Sequence, residues 1–300
     1  MELISILLST YNEPIKMIEE SITSILNQTY KNIELILIND NAQNRELDKL
    51  LSNYEKKDCR IKYIKHNANM GLVKSLNEGL QYAKGNYIAR MDADDISVND
   101  RLENQLKYIK DTNYDMIGGN IIKIDEYKNK IGELKVPSEF EKIKKYQIYG
   151  SCILHPTWFV KKEVYETLNG YREIYACEDY DFILRAILKG YKVGNIDKTV
   201  LFYRIRGNSI SNSSYCHQKI LTYYLADFYK KNESPSENII KQYIKSETYN
   251  IQVKKLEKYI DTKIKIKSKK YFYIVQLFIN PYFYKFSVTL SVVTYFLHYN

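Results

Sequence analysis

Three hundred residues, 45% of them hydrophobic, suffice to bury a substantial core, and five prolines against thirty tyrosines exclude long disordered linkers. Four cysteines (Cys59, Cys152, Cys177 and Cys216) form no CxxC pair. Cys152 with His155 cannot alone close a zinc site, so reduced thiols in a cytoplasmic protein are expected. The net charge of +9 is lopsided: Cys216 to Asn300 holds 14 Lys and 6 Asp/Glu, which leaves the first 215 residues at +1.

The chain runs directly into an apolar strand, Leu3–Leu8, with no basic leader or cleavage site, so no secretory signal is expected. That strand ends at Ser9-Thr10-Tyr11-Asn12-Glu13. Pro14 then stands where a helix can start, and Ile15, Ile18, Ile22, Ile25 and Leu26 recur at helical spacing. A second strand, Ile33–Ile38, ends at Asn39-Asp40-Asn41. A helix over Arg45–Lys56 leads to a third strand, Ile61–Lys65. A helix over Leu72–Ala83 carries Leu72, Leu76 and Leu80 on one face and stops at Gly85. The fourth strand, Asn86–Met91, runs into Asp92-Ala93-Asp94-Asp95. This alternation predicts parallel strands with right-handed crossovers, hence an open, mostly parallel sheet with helices on both faces. Strands over Met116–Ile124 and Trp158–Lys161 continue it less regularly, and a helix spans Glu178–Leu188. Beyond Cys216 helical patterns dominate, so a boundary is placed at 213: a catalytic body over 1–213, in halves of 1–97 and 98–213, and a basic, aromatic-rich helical region over 214–300.

Chemistry concentrates at the acidic stretch. Three carboxylates in four residues repel one another unless a cation lies among them, and hard divalent cations take oxygen ligands. The alternative is a polar turn whose aspartates cap a helix starting near Val98. No G-x-G-x-x-G follows the first strand and no P-loop motif exists. The hydroxyl residue expected two places after the second Asp of an aspartyl phosphatase is replaced by Ile96. In a parallel sheet the ends of strands one, two and four share one edge. Tyr11, Asp40 and the acids would then line one crevice, suited to a nucleoside diphosphate and its metal.

Five ordered segments carry a resemblance across residues 1–215: Ser9–Pro14, Ser24–Tyr30, Asn69-Met70-Gly71-Leu72, Ala89–Asp95 and Glu178-Asp179-Tyr180-Asp181. Together they resemble the signatures of family-2 glycosyltransferases of the GT-A fold, closest in character to bacterial enzymes building capsular polysaccharide or lipooligosaccharide. The resemblance implies a metal-dependent, inverting hexosyltransferase that uses Mn²⁺ or Mg²⁺. It would move a hexose or N-acetylhexosamine from a UDP-sugar to a growing surface glycan or lipid-linked acceptor. By position, Ser9, Tyr11, Glu13 and Asp40 would hold the nucleotide, Asp92 the ribose or the metal's water shell, Asp94 the metal, and Asp179 would be the general base. The alternative is an inactive nucleotide-sugar-binding protein of the same fold.

Other uses of these residues stay open. Asp179 also suits a helix cap, Tyr11 a packed tyrosine, and His155 either an acceptor wall or a core position. Arg90 and Arg101 suit ion pairs that order the acidic loop. Arg206 stands where many relatives carry a metal-ligating His. A guanidinium cannot ligate a cation, so either Asp94, the diphosphate and water suffice for the metal or Arg206 itself clamps the diphosphate, and the second is expected. In the tail, Lys263, Lys265, Lys267, Lys269 and Lys270 precede Tyr271–Ile279, and the later apolar run Phe286–Leu297 is too short to span a bilayer. An anionic membrane surface contacted through 263–300, at the cytoplasmic face of the inner membrane, is therefore expected. A nucleic-acid partner is not.

Overall fold

The computed structural model describes residues 1–206 and 214–267, with 263–267 described as backbone only. Its residues group into two compact units. The first comprises 1–147, 151–173 and 178–206; the described part of the second comprises 148–150, 174–177 and 214–267. Two short segments of the expected half 98–213 thus group with the helical region.

The first unit is built on a nine-stranded sheet. Strands β1 (Ile4–Thr10), β2 (Ile33–Asn39), β3 (Ile61–Lys65) and β4 (Tyr87–Asp92) lie in the order β3-β2-β1-β4 and all run parallel. Their crossovers are α1 (Ile15–Leu26), α2 (Arg45–Lys57) and α3 (Leu72–Tyr82). Helix α1 buries Ile18, Ile22 and Ile25, one stripe of the predicted periodicity. The Asn44 side chain caps α2 by accepting the Leu47 N–H. Helix α3 approaches the sheet closely at Gly79, where an added Cβ would lie 2.9 Å from Ile38 Cδ1 and 3.2 Å from Leu7 Cδ2.

The other half is mixed. It contains β5 (Ile96–Ser97), β6 (Met116–Ile124), β7 (Lys130–Leu134), β8 (Phe159–Lys161) and β9 (Val193–Arg204). Strand β8 is antiparallel to both β4 and β6, β6 runs parallel to β9, and β5 and β7 are antiparallel to β9 and β6. Helices α4 (Arg101–Thr112), α5 (Phe140–Tyr146), α6 (Lys162–Leu168) and α7 (Glu178–Leu188) complete the unit.

Two expectations need correction. The helix foreseen near Val98 begins at Arg101, and β5 intervenes, so the aspartates at 92–95 do not cap it; its N-cap position is Asp100. The twelve-residue β9 was not foreseen, because its Asp197-Lys198-Thr199 interior breaks the apolar run where the register with β6 shifts.

The second unit is helical, with α8 (Tyr215–Tyr229), α9 (Glu237–Lys245) and α10 (Glu247–Lys267). Leu221, Leu225, Ile240, Val253 and Leu256 are buried. Tyr224 stacks on Tyr243 at 3.7 Å between centroids, and His217 Nδ1 lies 2.7 Å from the Tyr249 hydroxyl. Among the described residues no helix is long and apolar enough to cross a membrane. The membrane surface expected through 263–300 concerns side chains outside the described residues.

Candidate functional site

Strand register brings the predicted residues to one edge. Thr10 pairs with Asn39 and Ser9 with Asp92, so the first, second and fourth strands end level. The Asp40 N–H donates to Thr10 O at 2.9 Å, which sets Asp40 beside Tyr11. Asn41 Nδ2 donates to Tyr11 O and to Asn12 Oδ1, both at 2.9 Å, and the Tyr11 N–H donates to Glu13 Oε2 at 2.7 Å. The loop backbone is thereby fixed while the Tyr11 side chain stays open to solvent, with the residue 41% exposed. An anchored aromatic with an open face suits stacking on a nucleobase. Ser9 is half-buried on the same edge.

Asp40 is buried more deeply than a solvent-facing reader would be. Its Oδ1 accepts the Met70 N–H at 2.6 Å and its Oδ2 the Gly71 N–H at 2.8 Å. Gly71, at φ +86°, supplies the left-handed turn that lets these amides point at one carboxylate. Asp40 therefore ties β2 to the start of α3 as well as lining the rim.

The acidic loop is clamped by arginines. Asp92 pairs with Arg90, and its carbonyl accepts the Ser21 hydroxyl at 2.9 Å. At the end of β9, Arg204 donates its backbone N–H to Asp95 Oδ1 at 2.8 Å and its Nε to Asp94 O at 2.7 Å, while Nη2 meets Glu20 at 2.7 Å. Two residues on, Arg206 Nε lies 2.5 Å from Asp94 Oδ2. Arg101 is buried and donates to the backbone carbonyls of Arg90 and Trp158, so it braces the loop's supports instead of pairing with an acid.

Burial, then Asp92 and Glu13, push Asp94 up to about 6 although Arg206 opposes them. Asp95 is held well above the usual carboxylate range by burial and its acidic neighbours, and its Oδ2 has no hydrogen-bond partner among the described residues. Oxygen donors crowded this way fit a hard divalent cation. No group of three His, Cys, Asp or Glu side chains among the described residues forms a ready metal set. Further ligands would have to come from a bound diphosphate and water.

Asp179 lies in the first turn of α7, where helix amides favour negative charge, and its Oδ1 accepts the Tyr180 N–H at 2.7 Å. Desolvation raises its pKa; Asp92 adds to the rise, and Arg90 opposes it. The charges of the acidic loop therefore reach Asp179. The adjoining Glu178 is pushed up to about 8, by burial first and by Asp179 second. At neutral pH Glu178, pushed up to about 8, keeps its proton, and burial raises Asp179 as well. Helix α7 is anchored from behind. Asp181 pairs with Arg185 at 2.7 Å, and Arg185 also donates to Leu168 O and Gly170 O.

Glu178 yields a stability prediction. Its folded pKa lies above the ordinary value of 4.5, so the folded protein retains a proton that the unfolded chain has lost. Stability contributed here falls as pH rises from about 4.5 towards 8. Glu178→Gln is expected to stabilise the protein by about 2–4 kcal/mol near pH 8 and by far less near pH 5. Urea unfolding of both proteins at the two pH values measures this; an equal difference at both would remove Glu178 as the cause.

His155 takes the core position. Its Nε2 is 2.9 Å from the Tyr171 hydroxyl, its ring meets Trp158 edge-on at 4.5 Å, and burial holds its pKa well below the usual value. Sequence reasoning missed Arg204 and His66, the latter buried against Asp40. The signal for Arg204 was its place two residues before Arg206, at the end of β9.

The sequence profile of Glycosyl transferase family 2 matches residues 5–168, more than half of the chain. The protein belongs to this family. An uncharacterized glycosyltransferase of Methanocaldococcus jannaschii is 36% identical to this glycosyltransferase over 233 residues, 77% of this chain and 80% of that one. The O-antigen biosynthesis glycosyltransferase WbnJ of Escherichia coli is 34% identical over 234 residues, 77% of this chain and 91% of its own. Among solved structures, S. aureus TarS (residues 1–349) in complex with UDP-GlcNAc superposes with a TM-score of 0.61 at 20% identity. It covers 81% of this glycosyltransferase and 70% of the TarS chain. The mannosyltransferase PcManGT of Pyrobaculum calidifontis, in complex with GDP-Man and Mn²⁺, gives a TM-score of 0.59 at 16% identity, covering 80% and 69%. The fold of this glycosyltransferase is GT-A, with an added helical C-terminal region.

Proposed function

We propose that this glycosyltransferase moves a hexose or N-acetylhexosamine from a UDP-sugar to a growing surface-glycan acceptor, with inversion at the anomeric carbon. The observation that carries the reading is the level ending of β1, β2 and β4. It gathers Ser9, Tyr11, Asp40 and Asp92 at one rim, and Asp179 stands in the first turn of α7, where burial and, to a lesser degree, Asp92 raise its pKa. Support for a UDP-linked donor and a polymer acceptor comes from TarS, crystallised with UDP-GlcNAc, and from the O-antigen role of the E. coli relative.

In this reading Tyr11 stacks on the base and Asp40 accepts a hydrogen bond from its edge. Glu13 braces the Tyr11 loop at the rim, Ser9 lines it, and Asp92 contacts the ribose. Asp94 would hold Mn²⁺ or Mg²⁺, which when bound supplies neutralisation of the charge growing on the departing diphosphate. Arg206 lies against Asp94, and a rotation of its side chain would bring the guanidinium to the diphosphate oxygens. Asp179 accepts the proton of the acceptor hydroxyl as that oxygen attacks the anomeric carbon and the carbon–oxygen bond to the diphosphate breaks. One base and one displacement invert the centre, whereas retention would need a covalent nucleophile.

The contact between Arg206 and Asp94 also favours a second reading, a nucleotide-sugar-binding protein without transfer, because it engages the would-be ligand. One assay separates the two. UDP release from a panel of UDP-sugars, with and without Mn²⁺, is expected to be metal-stimulated for at least one donor. Absence of stimulated release from every donor would sink the transferase reading.

A further inference from the structure

His66, just beyond β3 and 6% exposed, sits between two carboxylates and has no part in the chemistry above. Its Nδ1 is 2.7 Å from Asp40 Oδ1 and its Nε2 is 3.0 Å from Glu78 Oε2 on α3. Its backbone N–H donates to Asn39 O at 3.0 Å, so the residue is anchored to the strand end that presents Asp40.

The acceptor capacity of Asp40 can be counted. A carboxylate offers about four lone-pair sites. Oδ1 spends two, on His66 Nδ1 and the Met70 N–H; Oδ2 spends one, on the Gly71 N–H. One acceptor position remains, on Oδ2. Donors on both oxygens prevent the carboxylate from rotating, so that position has a fixed direction. With Nδ1–H donating to Asp40, Nε2 faces Glu78 Oε2, and the ring is held between the two carboxylates.

We infer that His66, backed by Glu78, is a positioning residue for nucleobase selection: it turns Asp40 into a single, fixed acceptor that matches a ring N–H. This rests on the reading that the Tyr11–Asp40 rim holds the nucleoside. Uracil presents N3–H, whereas cytosine, a base of the same size, presents a lone pair at N3. A fixed acceptor therefore favours the uridine nucleotide and repels the cytidine one. Without His66, Oδ1 has an open site beside the Met70 N–H, so Asp40 offers two acceptor positions instead of one and the base edge is read less sharply.

The test compares UDP and CDP affinity, by calorimetry in Mn²⁺, for the full-length wild type and for His66→Phe, His66→Gln and Glu78→Gln. His66→Phe keeps a ring of similar volume but makes neither hydrogen bond. It is expected to weaken UDP binding about tenfold, to shrink the UDP-over-CDP preference by a similar factor, and to raise the donor KM with little change in kcat. His66→Gln can still donate to Asp40 and should recover most of the preference. Glu78→Gln, at a partly exposed position, should lower it about threefold with the fold intact, and it carries the test if His66→Phe does not fold. Wild-type protein that binds UDP, with His66→Phe and Glu78→Gln both keeping its full preference, would overturn the inference alone. Wild-type protein that binds neither nucleotide would overturn the nucleotide-site reading beneath it.

Discussion

Asp179→Asn is expected to lower the rate of sugar transfer by about 10²–10⁴-fold while leaving UDP affinity and thermal stability near those of the wild type. Asn is isosteric, and its side-chain oxygen can still accept the Tyr180 N–H that Asp179 Oδ1 accepts at 2.7 Å, so the start of α7 keeps its local bond. What disappears is a carboxylate oxygen able to take a proton. Glu178 cannot replace it, because burial, the first cause of its raised pKa, persists in the variant. Turnover with the best donor and acceptor, alongside UDP binding, measures the split. Turnover within tenfold of wild type would remove Asp179 as the base.

The second large effect is expected at Asp94. Asp94→Asn should reduce kcat/KM at least 100-fold and abolish the difference in UDP affinity between Mn²⁺ and EDTA, which in the wild type should be about tenfold or more. The neighbouring acids cannot substitute. Asp92 is held by the buried Arg90, whereas the partner of Asp94, Arg206, is less buried and in this reading turns to the diphosphate; Asp95 is buried with one oxygen on the Arg204 N–H. Unfolding will not explain the loss. Asp94 is pushed up to about 6, so its ionised form already costs the folded state above the ordinary carboxylate range, and a neutral amide removes that cost. The variant should melt within a few degrees of wild type at pH 7. Retained Mn²⁺-dependence of UDP affinity in Asp94→Asn would place the cation elsewhere.

These two residues differ in how legible they were. Asp94 follows an apolar strand in a crowd of acids, and electrostatic repulsion alone marks such a cluster for a cation. Asp179 has no such mark in its own segment; it was found only through the order of five motifs along the chain. Its suitability as a base depends on Glu178 staying neutral, which comes from burial that no local pattern encodes.

The sequence by itself determined the parallel half of the sheet. Buried-type strands alternating with amphipathic helices admit few arrangements once crossovers must be right-handed, so β1, β2 and β4 had to end on a common edge. It also determined which residue types stand there. Tertiary structure alone decided the antiparallel return of β8 between β4 and β6, the long β9, and the arginines that β9 delivers to the acidic loop. It also decided that Asp40 is held from behind by His66 and Glu78. The physical reason is range. Periodicity and capping are set by neighbours within a few residues, whereas the partners of Asp94 and Asp40 lie 112 and 26 positions away and meet them only when the sheet closes.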